Sequence, residues 1–388
     1  MSSSWILIAS ISVGGYVLLM ALYSYFFQRM RPYRPSPATG APTTFFSIII
    51  PARNESACIA DCVRAVLNNE YPPHLFEVIV VDDHSEDDTA EQVKQLQQQH
   101  KALRLIRLQD YTGSTQGTTY KKQAIEAGIQ ESKGNWMVTT DADAVVPVHW
   151  LHSFDSYIRQ FEPVFIAAPV TYYPDKSLLS VFQQLDFMTM QGITAASVGA
   201  GFHSMCNGAN LAYKKEVFHA VGGFSGNEHL ATGDDMLLMH KVKRAYPSQI
   251  AYLYNREAMV ITWPPQSWKA FLHQRIRWAS KADSYGEPVI FGVLFWVWVM
   301  NALLLIALPL MLFVEEIRYP WLILMGIKTG AELFFLLPVA QFFQRSHLLV
   351  FFPLLQPLHI TYMVLAGWLG KFGSYEWKNR IIVTQGKK

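Results

Sequence analysis

Phe46-Ser47-Ile48-Ile49-Ile50-Pro51 is a short apolar run that stops at a proline. A run of this length suits a fully buried strand better than a helix. Residues Ser56 to Leu67 follow with helical spacing, and Glu77 to Val81 then forms a second buried strand before a second helix at Thr89 to Gln99. Leu103 to Leu108, Gln123 to Ser132 and Trp136 to Thr140 repeat the alternation. Strands alternating with helices predict an α/β domain with a mostly parallel sheet covered on both faces, assigned to residues 45–285.

Outside this domain the composition changes. Hydrophobic residues make up 51% of the 388 and charged residues only 16%, which suggests a soluble domain joined to lipid-facing segments. Trp5 to Phe27 carries no charged side chain and is long enough to cross a bilayer as a helix, so residues 1–28 read as an N-terminal transmembrane anchor. Its basic flank, Arg29, Arg31 and Arg34, comes after the apolar run, whereas a cleavable signal would place it before. The positive-inside rule then puts the following domain in the cytoplasm. Residues 29–44 are rich in proline and small side chains and read as a linker.

Apolar segments return at Pro288 to Val314, Trp321 to Phe343 and Leu348 to Leu369, giving a C-terminal membrane region of two or three helices over 286–370 and a basic tail at 371–388. Pro353 and Pro357 interrupt the last segment, which is read as re-entrant or interfacial, with the tail on the cytoplasmic side. Lys328 and Glu332 lie four apart at membrane depth; mutual pairing is the plain reading and an acceptor-facing site the sharper one.

The formal net charge of +2 gives no basic face for nucleic acid. Cys58, Cys62 and Cys206 form neither a disulfide framework nor a zinc motif and read as structural. His84, His203, His229, His240 and His273 lack metal-ligand spacing.

The chemistry-bearing residues are acidic. Ligands of open parallel sheets bind beyond the carboxyl ends of the strands, where Asp82 and Asp83 end one predicted strand and Asp141 and Asp143 another. A single Asp there is commonly a turn or cap residue; two pairs at two strand ends are harder to dismiss. Asp141-Ala142-Asp143 offers two carboxylates from a short stretch of backbone, the donor type that Mg2+ or Mn2+ prefers alongside substrate phosphates.

With these residues in place, the sequence resembles the membrane-bound family 2 glycosyltransferases, over roughly Phe45 to Lys281 and the flanking apolar segments. Ile48 to Glu55 resembles the family's first strand and nucleotide loop, with Pro51, Arg53 and Glu55 at the donor. Val80-Val81-Asp82-Asp83-His84-Ser85 is similar to its base-binding motif, centred on Asp83. Lys121 matches a donor-side lysine, and Asp141 and Asp143 match the Asp-x-Asp metal motif. Thr232-Gly233-Asp234-Asp235 resembles the Thr-Glu-Asp motif and makes Asp235 the catalytic base, although Gly233 and Asp234 depart from it. Gln274-Arg275-Ile276-Arg277-Trp278 matches Gln-x-x-Arg-Trp in full. The resemblance implies the GT-A (Rossmann-like) fold and an inverting transfer from a nucleotide sugar, UDP before GDP. It also implies a Mg2+ or Mn2+ cofactor, Arg277 at the diphosphate, and Gln274, Trp278 and Asp234 on the acceptor side.

The residue types support such roles independently. A carboxylate beside an acceptor hydroxyl can take its proton, Arg275 and Arg277 can clamp phosphate, and Trp278 offers a face for a sugar ring. An alternative for the Arg275 to Trp278 segment is a snorkelling interfacial helix. Asn207 and Asn210, in a Gly-containing turn, are candidates for acceptor hydroxyls or for their own backbone. The expected partners are a nucleotide-sugar donor, a lipid or glycan acceptor and the bilayer of a bacterial inner membrane, with no nucleic acid. Three or four apolar segments favour a lipid or lipid-linked acceptor over a processive polysaccharide synthase. A degenerate membrane scaffold is disfavoured by the intact acidic set, and a dehydrogenase by Pro51-Ala52-Arg53-Asn54 standing where a Gly-rich turn would be.

Overall fold

Phe46, Ile48, Ile49 and Ile50 are fully buried in the computed structural model, which describes residues 2–35, 40–112, 120–202, 205–226, 233–281, 287–377 and 380–383. Each such side chain contributes about 1.5–3 kcal/mol over leaving it in water, so the run sits inside a sheet and not at its edge. Residues 36–39 of the expected linker, His203, His229, Thr232 and the tail lysines Lys378, Lys387 and Lys388 lie outside the described residues.

Nine strands follow: β1 Phe46–Ala52, β2 Phe76–Asp82, β3 Leu103–Arg107, β4 Trp136–Thr139, β5 Phe165–Ala167, β6 Val170–Tyr172, β7 Leu211–Lys214, β8 Ile250–Tyr252 and β9 Val260–Thr262. Seven of them form one sheet in the order β3-β2-β1-β4-β7-β5-β8, and β6 pairs with β9. In β1, Ile48 stands opposite Val78 of β2 and Val138 of β4, all in parallel register; only β7 runs antiparallel to its neighbours β4 and β5. This is the mostly parallel α/β sheet that the pattern predicts. After β3 the chain returns to the far side of β1 to lay down β4. A crevice therefore opens beyond the carboxyl ends of β1, β2 and β4, where such sheets bind ligands.

The chain divides into two compact units. One comprises Met30–Tyr173 and Ser197–Trp263 and contains these nine strands. Its core packs β1, β2 and β4 against helices such as Ile59–Leu67, through Ile59, Val63 and Val66. The helix Tyr120–Glu131 lies so close to the sheet that a side chain at Gly128 would meet Ile49 Cγ2 at 2.8 Å.

The other unit comprises Met1–Arg29, Pro174–Ala196 and Pro264–Lys388. Of the domain expected over 45–285, the segments Pro174–Ala196 and Pro264–Lys281 group with this unit. Phe182, Phe271 and Ile276 explain why, since they pack with Tyr362 and Ala366 of the helix Phe352–Phe372. Among the described residues, four helical segments are long and apolar enough to cross a membrane: Ser4–Arg29, Pro288–Leu310, Glu315–Phe342 and Ser346–Phe372. The last is a continuous helical run that Pro353, in its first α-helical turn, and Pro357, inside it, do not break. The tail contributes a hairpin of β10 Ser374–Trp377 and β11 Arg380–Val383.

Lys328 and Glu332 do pair, at 2.6 Å, and both are almost wholly buried. Two more residues complete the cluster. Gln356 Nε2 donates to Glu332 Oε2 (2.6 Å) and its Oε1 accepts from Lys328 (3.0 Å), while the Tyr16 hydroxyl donates to Glu332 Oε1 (2.7 Å). Buried charges persist only when paired and hydrogen-bonded in this way.

Candidate active site

The loops beyond β1 and β2 are stitched together. Arg53 Nη1 donates to the carbonyls of Asp83 (2.9 Å) and His84 (3.1 Å). Ser85 Oγ accepts from the Asn54 amide (3.0 Å), and Asn54 Oδ1 accepts from the Glu86 amide (2.8 Å). Thr89 Oγ1 accepts from the Glu55 amide at 2.8 Å. Asn54 and His84 both have left-handed backbones, at φ 51° and 53°, a strained geometry that persists only where surrounding bonds over-determine it. Pro51 lies in register with Val81 inside the sheet and leads into this loop. Asp87 accepts from Ser56 and Thr89 backbone amides and from the Thr89 hydroxyl. Desolvation opposes its ionised form, but these bonds prevail and hold its pKa down at about 2.

Asp83 is 4% exposed, with His84 Nδ1 at 3.1 Å and Arg53 Nη1 at 4.0 Å from its Oδ1. Asp141 and Asp143 follow β4 in a turn where burial alternates: Ala142 faces inward, and the two carboxylates flank it partly exposed. Lys121, in the first turn of the helix Tyr120–Glu131, reaches Asp141 Oδ1 at 2.7 Å. Burial works against its charge. Asp141, Asp234 and Asp235 outweigh that and hold its pKa above the ordinary lysine range.

Asp234 and Asp235 open the helix Asp234–Ala245, capped by Gly233 at φ 92°, a conformation that favours glycine. Carboxylates in a first helical turn are stabilised by the unpaired N–H groups there. Asp234 is buried and Asp235 partly exposed. Asp235 Oδ2 accepts from the Gly208 amide at 2.9 Å. A Cβ placed on Gly208 would lie 3.6 Å from that Oδ2 and 3.8 Å from Lys121 Nζ. The turn after β4, the helix at 120–131, the Gly208 turn and the helix at 234–245 thus meet around one ammonium group.

Two expectations change. Asn210 is fully enclosed: its Nδ2 donates to the carbonyls of Pro169 (2.8 Å) and Ala258 (2.7 Å), and its Oδ1 accepts from Trp150 Nε1 (2.9 Å). It ties three segments of the sheet unit together, and its complete burial withdraws it from an acceptor. Arg275 is likewise withdrawn from phosphate binding, since it is 4% exposed and ion-paired with Asp186 at 2.6 Å. Asn207 Oδ1 accepts from the Ala209 amide (3.0 Å), the local turn bond that its residue type favours.

Gln274, Arg277 and Trp278 lie partly buried on the helix Trp268–Ala279, started by Ser267, whose hydroxyl accepts from the Ala270 amide. This helix belongs to the unit with the apolar segments. Sequence reasoning missed Asp186, a lone carboxylate inside the apolar stretch Leu185-Asp186-Phe187-Met188; that contrast was its one available signal.

The donor set fits a divalent cation of the magnesium or manganese type. Among the described residues no three His, Cys, Asp or Glu side chains gather into a cage. An ion at Asp141 and Asp143 would complete its shell with phosphate oxygens and water, as magnesium sites commonly do.

Residues 47–222 match the model of glycosyl transferase family 2, and residues 136–376, more than half of the chain, match that of glycosyl transferase family group 2. The chain is 25% identical over 246 residues to the probable glycosyltransferase YdaM of Bacillus subtilis, covering 60% of this chain and 54% of that one. It is 27% identical over 263 residues to a beta-monoglucosyldiacylglycerol synthase of Synechocystis sp., covering 64% and 50%. The chain thus spans about half the length of these curated relatives. Among solved structures, mannosyltransferase PcManGT from Pyrobaculum calidifontis, in complex with GDP-Man and Mn2+, superposes with a TM-score of 0.61 at 18% identity, over 95% of this chain and 99% of that one. At that identity the likeness establishes the GT-A fold.

Proposed function

Since this chain belongs to the family 2 glycosyltransferases, we propose that it is an enzyme that transfers a sugar, with inversion, from a nucleotide donor to a lipid or lipid-linked acceptor at the cytoplasmic face of a cell membrane. The convergence of Asp141 on Lys121, and of Asp235 on the Gly208 turn that also faces Lys121, carries this reading. It brings a diphosphate-side carboxylate and a base candidate to one point at the carboxyl ends of the strands. The stitched β1 and β2 loops, with Arg53, Glu55 and Asp83, form the nucleotide side.

Lys121 keeps its charge and holds Asp141 in place while offering the donor phosphates a cation. A divalent ion on Asp141 and Asp143 would offset charge building on the departing diphosphate. Asp235, partly exposed beside Gly208, takes the proton of the attacking hydroxyl. Asp234, buried in the same helical turn, is assigned to the acceptor side. Arg277 is assigned to the diphosphate, and Gln274 and Trp278 to the acceptor. UDP is the favoured nucleotide. The lipid acceptor is supported by four helical segments of spanning length and by the similarity to a beta-monoglucosyldiacylglycerol synthase.

The test supplies the purified full-length enzyme with radiolabelled nucleotide sugars, manganese and native membrane lipids. Label should enter the lipid fraction from one donor in wild type, and Asp143→Ala should abolish it. Metal-independent nucleotide binding with no transfer in wild type would instead mark a non-catalytic scaffold. Label in a growing water-soluble polymer would favour a polysaccharide synthase.

A further inference from the structure

Asp186 belongs to no motif, yet it sits under the one that matches in full. Its side chain lies within the apolar helix Leu178–Gly199 at 4% exposure, a position that a carboxylate keeps only with partners. Arg275 supplies two contacts, Nε at 2.8 Å and Nη2 at 2.6 Å, both to Oδ2. The Tyr362 hydroxyl donates to Oδ1, and His359 Nε2 lies 3.8 Å from the same oxygen.

Arg275 occupies an unspecified position of Gln-x-x-Arg-Trp but touches both ends of the motif. Its Nη1 donates to Gln274 Oε1 at 2.5 Å, and its guanidinium carbon stands 4.2 Å from the Trp278 ring centre and 4.6 Å from that of Phe271. Phe187, the neighbour of Asp186, has its ring 6.2 Å from Trp278. A planar cation that is hydrogen-bonded at its edge and stacked on its face leaves the indole little rotational freedom.

We propose that Asp186 is a positioning residue: it fixes the Arg275 guanidinium, and Arg275 in turn sets the side-chain geometry of Gln274 and Trp278. Its kinetic consequence rests on the acceptor role given to those two residues above; the geometric claim does not. A carboxylate that merely joined helices would act through Tyr362 as much as through Arg275. One that positions the motif acts through Arg275.

The experiment uses full-length protein containing fluorotryptophan, in vesicles of native membrane lipid extract, with the Trp278 fluorine signal assigned by Trp278→Phe. Asp186→Asn and Arg275→Lys should move that signal, whereas Tyr362→Phe should leave it in place. The two should also raise the lipid needed for half-maximal transfer about tenfold, since a small misplacement of a positioning group is costly. UDP affinity by calorimetry should stay within about twofold, because binding there is donor-side. Asp186→Glu should restore part of both readouts. If Asp186→Asn does not fold, Arg275→Lys, which keeps the charge beside Asp186, decides the matter. An unmoved Trp278 signal in either folded variant, or a signal moved equally by Tyr362→Phe, overturns the proposal. A signal moved in both variants, when wild type itself shows no transfer, upholds the positioning claim and sinks the functional reading instead.

Discussion

Asp235→Asn separates a lost proton acceptor from a lost hydrogen bond. Each carboxylate oxygen of Asp235 accepts a backbone N–H, Oδ2 from Gly208 at 2.9 Å and Oδ1 from Met236 at 2.8 Å. An amide has a single acceptor oxygen, so whichever way it turns, its NH2 group faces one of those donors. A wholly buried unpaired donor costs about 1–3 kcal/mol; beside a partly exposed side chain the lower end, about 1 kcal/mol, applies. The loss of a general base is larger, about 100- to 10,000-fold in rate, or about 2.7–5.4 kcal/mol of barrier. Transfer of radiolabel into lipid gives kcat, calorimetry gives UDP affinity and a detergent melt gives stability. We expect kcat to fall at least about 100-fold with UDP affinity within about threefold and a small drop in Tm. Retention of more than about a tenth of the wild-type rate would refute the assignment of Asp235 as base. A parallel collapse of UDP affinity would move it to the donor side.

Asn210→Ala should destabilise the sheet unit by about 2 kcal/mol or more, because three buried partners lose their bond at once, and acceptor half-saturation should not change in the folded fraction. Glu332→Ala should cost about 3–5 kcal/mol by stranding Lys328, while a paired replacement, Lys328→Met with Glu332→Leu, should cost less; detergent melts of the two compare them directly. The folded pKa of Asp87 is depressed, so its stabilisation is present above its ordinary value of 3.8 and is lost as pH falls through about 2. The Tm gap between wild type and Asp87→Asn should therefore be constant at neutral pH and close only across that acid window.

The first half of the sheet was legible because β1, β2 and β4 are continuous apolar runs, and the helix Thr89–Gln99 matches its expected span. The later strands β5, β6, β8 and β9 have three residues each, too short for any period to register. Helix Leu178–Gly199 escaped notice because Gln183, Gln184, Asp186, Gln191 and Thr194 are all buried, so no polar face marks it. Asn210 misled for a local reason: Asn-Gly-Ala-Asn reads as a surface turn, and nothing nearby announces Trp150 or Ala258. The Lys328–Glu332 pair followed from its spacing of four, whereas Tyr16 and Gln356 are set by tertiary packing, which spacing does not encode.

The bond from Tyr16 to Glu332 spans 316 residues, and it has a consequence for biogenesis. At ordinary translation speeds the first helix waits for roughly 15–60 s before its carboxylate partner has been made. Gln356 follows another 24 residues later. Until then the first helix carries a phenol without its native acceptor, and the Lys328–Glu332 pair, once made, lacks the amide that bonds both of its members.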